Sequence, residues 1–69
     1  GADDARRRAA ARKELSQLVS AWARRSGQPH GVVHNDLRRA CGGPQVAAAS
    51  TEEIVERVET LRRWFVGRR

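Results

Sequence analysis

The chain of 69 residues has no methionine and no tyrosine, and only one cysteine, one phenylalanine, two tryptophans and two prolines. A lone cysteine forms no internal disulfide, so this is not a small secreted scaffold stapled by bridges. No apolar run is long enough to cross a bilayer, and 32% of the residues are charged. There is also no charged-then-apolar leader with a cleavage site, so a reducing cytoplasm is the expected setting, with no membrane partner. The chain opens on Gly1, which reads as a cloning remnant or the edge of a segment cut from a longer protein. Large apolar side chains are so few that one compact unit, near the lower size limit for independent folding, is all they can hold together.

The groupings that catalysis needs are also missing. His30, His34 and Cys41 stand at i, i+4 and i+11, on one side of a helix, but a fourth zinc ligand is lacking. Cys41 is better read as a small apolar residue closing a buried stripe, and no metal site is expected. Ser16, Ser20, Ser26 and Ser50 fall at helix or cap positions, and a chain this short leaves no walls for a catalytic pocket. Gly42-Gly43-Pro44 lacks the lysine and the following helix of a phosphate-cradling loop. The expectation is a segment with no catalytic residue, no cofactor and no small-molecule substrate.

Arginine is abundant. Lys and Arg number 14 against eight Asp and Glu, for a formal net charge of +6, and all but Lys13 are arginine, whose planar fork suits phosphates and carboxylates. Arg6, Arg7, Arg8, Arg12 and Lys13 outweigh Asp3 and Asp4 at the start, whereas Glu52, Glu53, Glu56 and Glu59 outweigh Arg57, Arg62 and Arg63 further on. The field is therefore positive over the first two thirds and at Arg68 and Arg69. A polyanion is the natural partner of such a field, although GC-rich coding also yields an Arg- and Ala-rich chain.

Periodicity predicts three helices and no strands. Asp3 to Arg25 has no Gly or Pro, and Leu15, Leu18, Val19 and Trp22 fall on one helical face, with the acids at the start and Arg24 and Arg25 at the end suiting the helix dipole. Residues 1–13 hold nothing apolar larger than Ala, so they form an Arg/Ala-rich helical extension or linker that is exposed, frayed or docked on something absent from the chain. After the Gly27 turn a second helix is expected from Pro29 to about Cys41, burying Val33, Leu37, Ala40 and Cys41. Residues 44–49 form a loop with Val46 as its one sizeable apolar anchor. Ser50-Thr51-Glu52-Glu53 is a capping box, opening a third helix striped by Ile54, Val58, Leu61 and Phe65. The three-helix domain then covers 14–66, with a basic tail over 67–69. Trp22 and Trp64 lie on or beside these stripes and read as staples between the first and third helices, ahead of a reading as base-stacking platforms.

Ala23, Gly27 and Val33 stand at the relative spacing a helix-turn-helix uses for its small packed residue, turn glycine and buried anchor. Gln28 and Asp36 depart from that pattern, and a plain helical hairpin explains the same three positions. If the hairpin meets nucleic acid, Arg24 and Arg25 end its first helix and Arg38 and Arg39 its second, at opposite ends of an antiparallel pair. His30, His34 and Asn35 would lie between them on the outer face of the second helix. Guanidinium forks suit phosphates, and Asn or His suits a base edge; the bland alternative is that paired arginines offset the dipole and keep the domain soluble.

From Leu18 to Phe65 the chain resembles the short helical segment near the C-terminus of actinobacterial DEAD/DEAH-box type DNA helicases. The resemblance is carried by Ala21-Trp22-Ala23-Arg24-Arg25-Ser26-Gly27-Gln28-Pro29-His30-Gly31, by Val33-His34, by Leu37-Arg38-Arg39-Ala40-Cys41-Gly42-Gly43-Pro44, and by Leu61-Arg62-Arg63-Trp64. In layout it is also similar to the C-terminal domain of phage antirepressors. The helicase motor motifs are absent. What the resemblance implies is a non-catalytic accessory domain on an ATP-dependent motor, with DNA ahead of RNA as partner. The competing expectation is a protein-docking module that uses the first and third helices.

Overall fold

A computed structural model of the chain describes residues 1–67; of the expected basic tail, Arg68 and Arg69 lie outside the described residues. The fold is all-α. Helix α1 (Ala2–Ser26), α2 (His30–Cys41) and α3 (Thr51–Val66) follow one another, with a 3₁₀ turn (Val46–Ala48) between the last two and no strand among the described residues. At 1.5 Å rise per residue, the 25-residue α1 runs about the full 38 Å long axis of the molecule, so it serves as the spine on which the rest packs.

Local signals end and start these helices. Gly27 takes the left-handed conformation (φ 76°) that side chains with a Cβ rarely adopt, and its N–H donates to the Ala23 carbonyl, closing α1. Pro29 is the N-cap of α2 and not its first residue, contrary to the expected start. Its ψ of 153° is extended, and its carbonyl accepts from the N–H groups of Val32 and Val33. The capping box at α3 forms in full: Ser50 Oγ accepts from Glu53 N at 3.1 Å, and Ser50 N donates to Glu53 Oε1 at 2.8 Å. Ser50→Ala is accordingly expected to cost about 1 kcal/mol. In a domain of this size that lowers the midpoint of a circular-dichroism melt by roughly 4–8 °C, and an unchanged midpoint would show the box to be idle.

The core joins Leu15 and Val19 of α1, Val33 and Leu37 of α2, and Ile54, Val58 and Leu61 of α3, with Ala11, Ala23 and Ala49 filling the close approaches. Leu18, Trp22, Trp64 and Phe65 are half-buried around it. The expected α2 stripe is narrower than its sequence pattern: Ala40 is exposed and Cys41 is half-buried with Sγ 3.3 Å from Thr60 Oγ1.

The first turns of α1 are helical and largely exposed, and side-chain contacts tie them to the rest of the molecule. Arg8 donates from Nε and Nη2 to the Ala49 carbonyl (3.1 and 2.9 Å) and from Nη2 to the Ala47 carbonyl. Thr51 Oγ1 donates to Asp4 Oδ1, Arg7 pairs with Glu52, and Glu14 pairs with Arg62. Residues 1–13 are the first half of one unbroken helix, with contacts from Asp4, Arg7 and Arg8 to the loop before α3 and the first turn of α3. No helix among the described residues is long and apolar enough to cross a membrane.

Candidate nucleic-acid interface

The expected site residues divide into two groups on either side of α2. Arg25 and Arg39, one from each arginine pair, line a groove of about 850 Å³ together with Trp22, Gln28, Asp36, Ala40, Trp64 and Gly67. One member of each pair thus faces a shared groove that runs along α2 from Gln28 to Ala40. Arg24 is exposed and borders neither hollow. His34, Asn35 and Arg38 line a smaller hollow of about 230 Å³ on the other flank, with Gly31, Gln45 and Val46. The ridge between the hollows carries Val32, Asn35 and Arg39, all exposed.

The two histidines differ: His30 is exposed and His34 half-buried. His30 Nε2 lies 3.1 Å from Ser20 Oγ, so this ring ties the start of α2 to α1. His34 is half-buried, and burial holds its pKa below the ordinary histidine value, with His30 and Arg57 adding electrostatic pressure in the same direction. Near neutral pH it is therefore a neutral hydrogen-bonding ring and no phosphate-binding cation. His30, His34 and Cys41 do not converge, and no group of three His, Cys, Asp or Glu capable of holding a metal occurs among the described residues.

The arginines differ in what already occupies them. Arg25 lies over the rings of Trp22 (5.5 Å) and Phe65 (5.8 Å) and donates from Nη1 to the Phe65 carbonyl at 3.2 Å. This stacking holds its guanidinium in place at the groove wall. Arg38 reaches the Gly43 carbonyl only at 3.5 Å, and Arg39 faces Asp36 at 3.8 Å while remaining largely exposed. No carboxylate lies within 4 Å of Arg24, Arg25 or Arg38 among the described residues, whereas Arg7 and Arg62 have acid partners and Arg8 is held by carbonyls. Arg6, Arg12, Lys13 and Arg63 also have no carboxylate within 4 Å among the described residues, so cations without acid partners occur on all three helices.

Three features escaped the sequence reading. Gln28, read only as a misfit in the turn, places an amide on the groove wall. Trp64 packs against Trp22 (centroids 5.8 Å apart) as the expected staple, but it also walls the groove. Arg57, counted only as a surface charge, is 1% exposed. Its signal was its register, three residues after Ile54 and four before Leu61, on the apolar stripe of α3.

Comparison with known proteins finds relatives in mycobacteria. The chain is 47% identical over 51 residues to an uncharacterised protein of Mycobacterium leprae, a match covering 74% of this chain and 9% of that protein. It is 51% and 49% identical over 51 residues to uncharacterised proteins from two strains of Mycobacterium tuberculosis, in each case 74% of this chain and 8% of the relative. The chain thus spans less than a tenth of the length of the curated relatives it matches. No family model matches it, and no solved structure does either.

Proposed function

We infer that this domain is a nucleic-acid-binding accessory module of a larger DNA-processing protein, a helicase by the resemblance noted above, and that it holds phosphates through the arginines around α2. One observation carries the reading: Arg25 and Arg39 line a single groove with Trp64 and Gln28, and Arg38 lines the hollow on the other flank of α2, so three arginines with no carboxylate nearer than 3.8 Å among the described residues stand around one helix. Phosphate contacts of this kind position a protein on a nucleic acid without reading its sequence. The small share of each relative that the chain spans fits a module attached to something larger. The docking alternative, with the first and third helices meeting another protein, would use their exposed faces, since their apolar stripes lie in the core.

The test is a fluorescence-anisotropy titration with labelled DNA at several salt concentrations. Arg38→Glu with Arg39→Glu should weaken binding at least tenfold and flatten the log–log salt slope by about two units. Arg6→Glu with Arg12→Glu, exposed positions on the first half of α1, removes the same charge and should do far less. Equal losses in the two double mutants would mean diffuse attraction without a site, and would give the docking reading the lead.

A further inference from the structure

We propose that the groove between α1, α2 and the end of α3 is a nucleobase-stacking site, with Trp64 as the platform, so that the form of nucleic acid bound is single-stranded. The inference rests on the nucleic-acid reading above and specifies its substrate class.

The two tryptophans have different roles. Trp22 also walls the groove, but its ring is engaged: Phe65 meets it edge-to-face at 5.2 Å, Trp64 packs against it at a tilt of 49°, and the Arg25 guanidinium stands over it. Trp64 is half-buried like Trp22, but no guanidinium stands over it among the described residues, and it borders two hollows at once, the 850 Å³ groove and a second of about 490 Å³. An indole held against another ring but open to solvent-filled space on its flanks offers a fixed π-surface at little entropic cost.

The charge around it suits a nucleic-acid strand. Arg25 and Arg39 line the first hollow, Arg63 and the Glu14-paired Arg62 the second, and the one acid on either wall is Asp36, which faces Arg39. A base stacked on Trp64 would have cationic forks near both of its flanking phosphates and the Gln28 amide within the same groove to meet a base edge. In a duplex both faces of each base are covered by its neighbours, so only an unstacked strand can use such a platform.

The chain contains only these two tryptophans, so its intrinsic fluorescence reports on the site directly. An oligothymidine of about ten nucleotides, within the usual site sizes of single-strand binders, should quench that emission and bind more tightly than a duplex of equal length. Trp64→Leu should weaken single-strand binding by about tenfold and abolish most of the quench, leaving duplex binding unchanged; Trp64→Phe should retain single-strand affinity within a few-fold. Trp64→Phe preserves the ring and the packing, so it keeps the proposal falsifiable if the leucine variant fails to give a cooperative melt. Duplex binding as tight as single-strand binding, or an equal loss of both in Trp64→Leu, overturns the stacking site and leaves the phosphate-binding reading standing. Absence of binding to either form overturns both.

Discussion

Leu61→Ala is expected to remove roughly 3–4 kcal/mol of stability, which in a chain of this size is most of what there is. Leu61 is fully buried at the meeting of the three helices, and truncating a buried leucine removes both its transfer free energy and the contacts of the cavity it leaves. Native domains hold roughly 0.05–0.15 kcal/mol per residue, so the whole molecule has about 3–10 kcal/mol. The thermal midpoint should drop by roughly 15–30 °C, or the cooperative transition should vanish at room temperature. Leu61→Met conserves volume and should cost less than about 1.5 kcal/mol. A circular-dichroism melt compares the three proteins directly, and an alanine variant that melts with the parent would remove Leu61 from the core.

Leucines, valines and the single isoleucine at helical spacing were enough to place that core. The α3 stripe, the Ser50 box and the Gly27 stop all follow from local rules that act within a turn or two, and all appear at the expected residues. The docking of the first half of α1 was not legible. Arg8 grips carbonyls about 40 positions away, and a contact between a side chain and distant backbone leaves no periodic trace. Only Ala11, four residues before Leu15, extends the stripe backwards, and its methyl group is too small to signal burial.

The candidate interface was legible as a composition and hidden as a geometry. Paired arginines at helix ends were visible, but which of them would meet an acid depends on how the helices cross. Arg7 and Arg62 acquire Glu52 and Glu14 as partners, while Arg24 and Arg38 acquire no acid. The difference between the two histidines, His30 exposed and His34 half-buried, was hidden because α2 was taken as a hairpin arm with one buried edge. Its actual packing, with α1 on one side and α3 on the other, draws His30 toward Ser20 and half-buries His34. Trp64 shows the same ambiguity in one residue, since a position beside the stripe is equally suited to packing and to walling a groove.

Arg57→Ala is expected to be as damaging as the loss of Leu61, for a different reason. The guanidinium lies inside the protein, 1% exposed, with no carboxylate within 4 Å among the described residues. Its Nη2 donates to the carbonyls of Gly42 (3.1 Å) and Pro44, and its Nε has no partner. A buried charge without a counter-ion is costly, so its presence calls for a compensating role. That role is in the segment after α2, where two loop carbonyls have this fork to receive them. Gly43 closes over the same spot at φ 85°; a Cβ there would stand 3.1 Å from Arg57 Nη2 and 3.0 Å from Glu53 Oε2. Removing the side chain empties its volume and strands both carbonyls, a combined cost of roughly 3–5 kcal/mol. Arg57→Lys keeps a charged donor and should lose less, but still about 1–3 kcal/mol, because lysine Nζ ends one bond short of the position of Nη2, the one nitrogen that reaches both carbonyls. Arg57→Met fills the volume but donates nothing, which separates packing from hydrogen bonding. In urea melts the expected order of stability is Arg, Lys, Met, Ala. A methionine variant equal to or more stable than the parent would show that the two carbonyls need no donor, and that Arg57 imposes a desolvation penalty without a structural return.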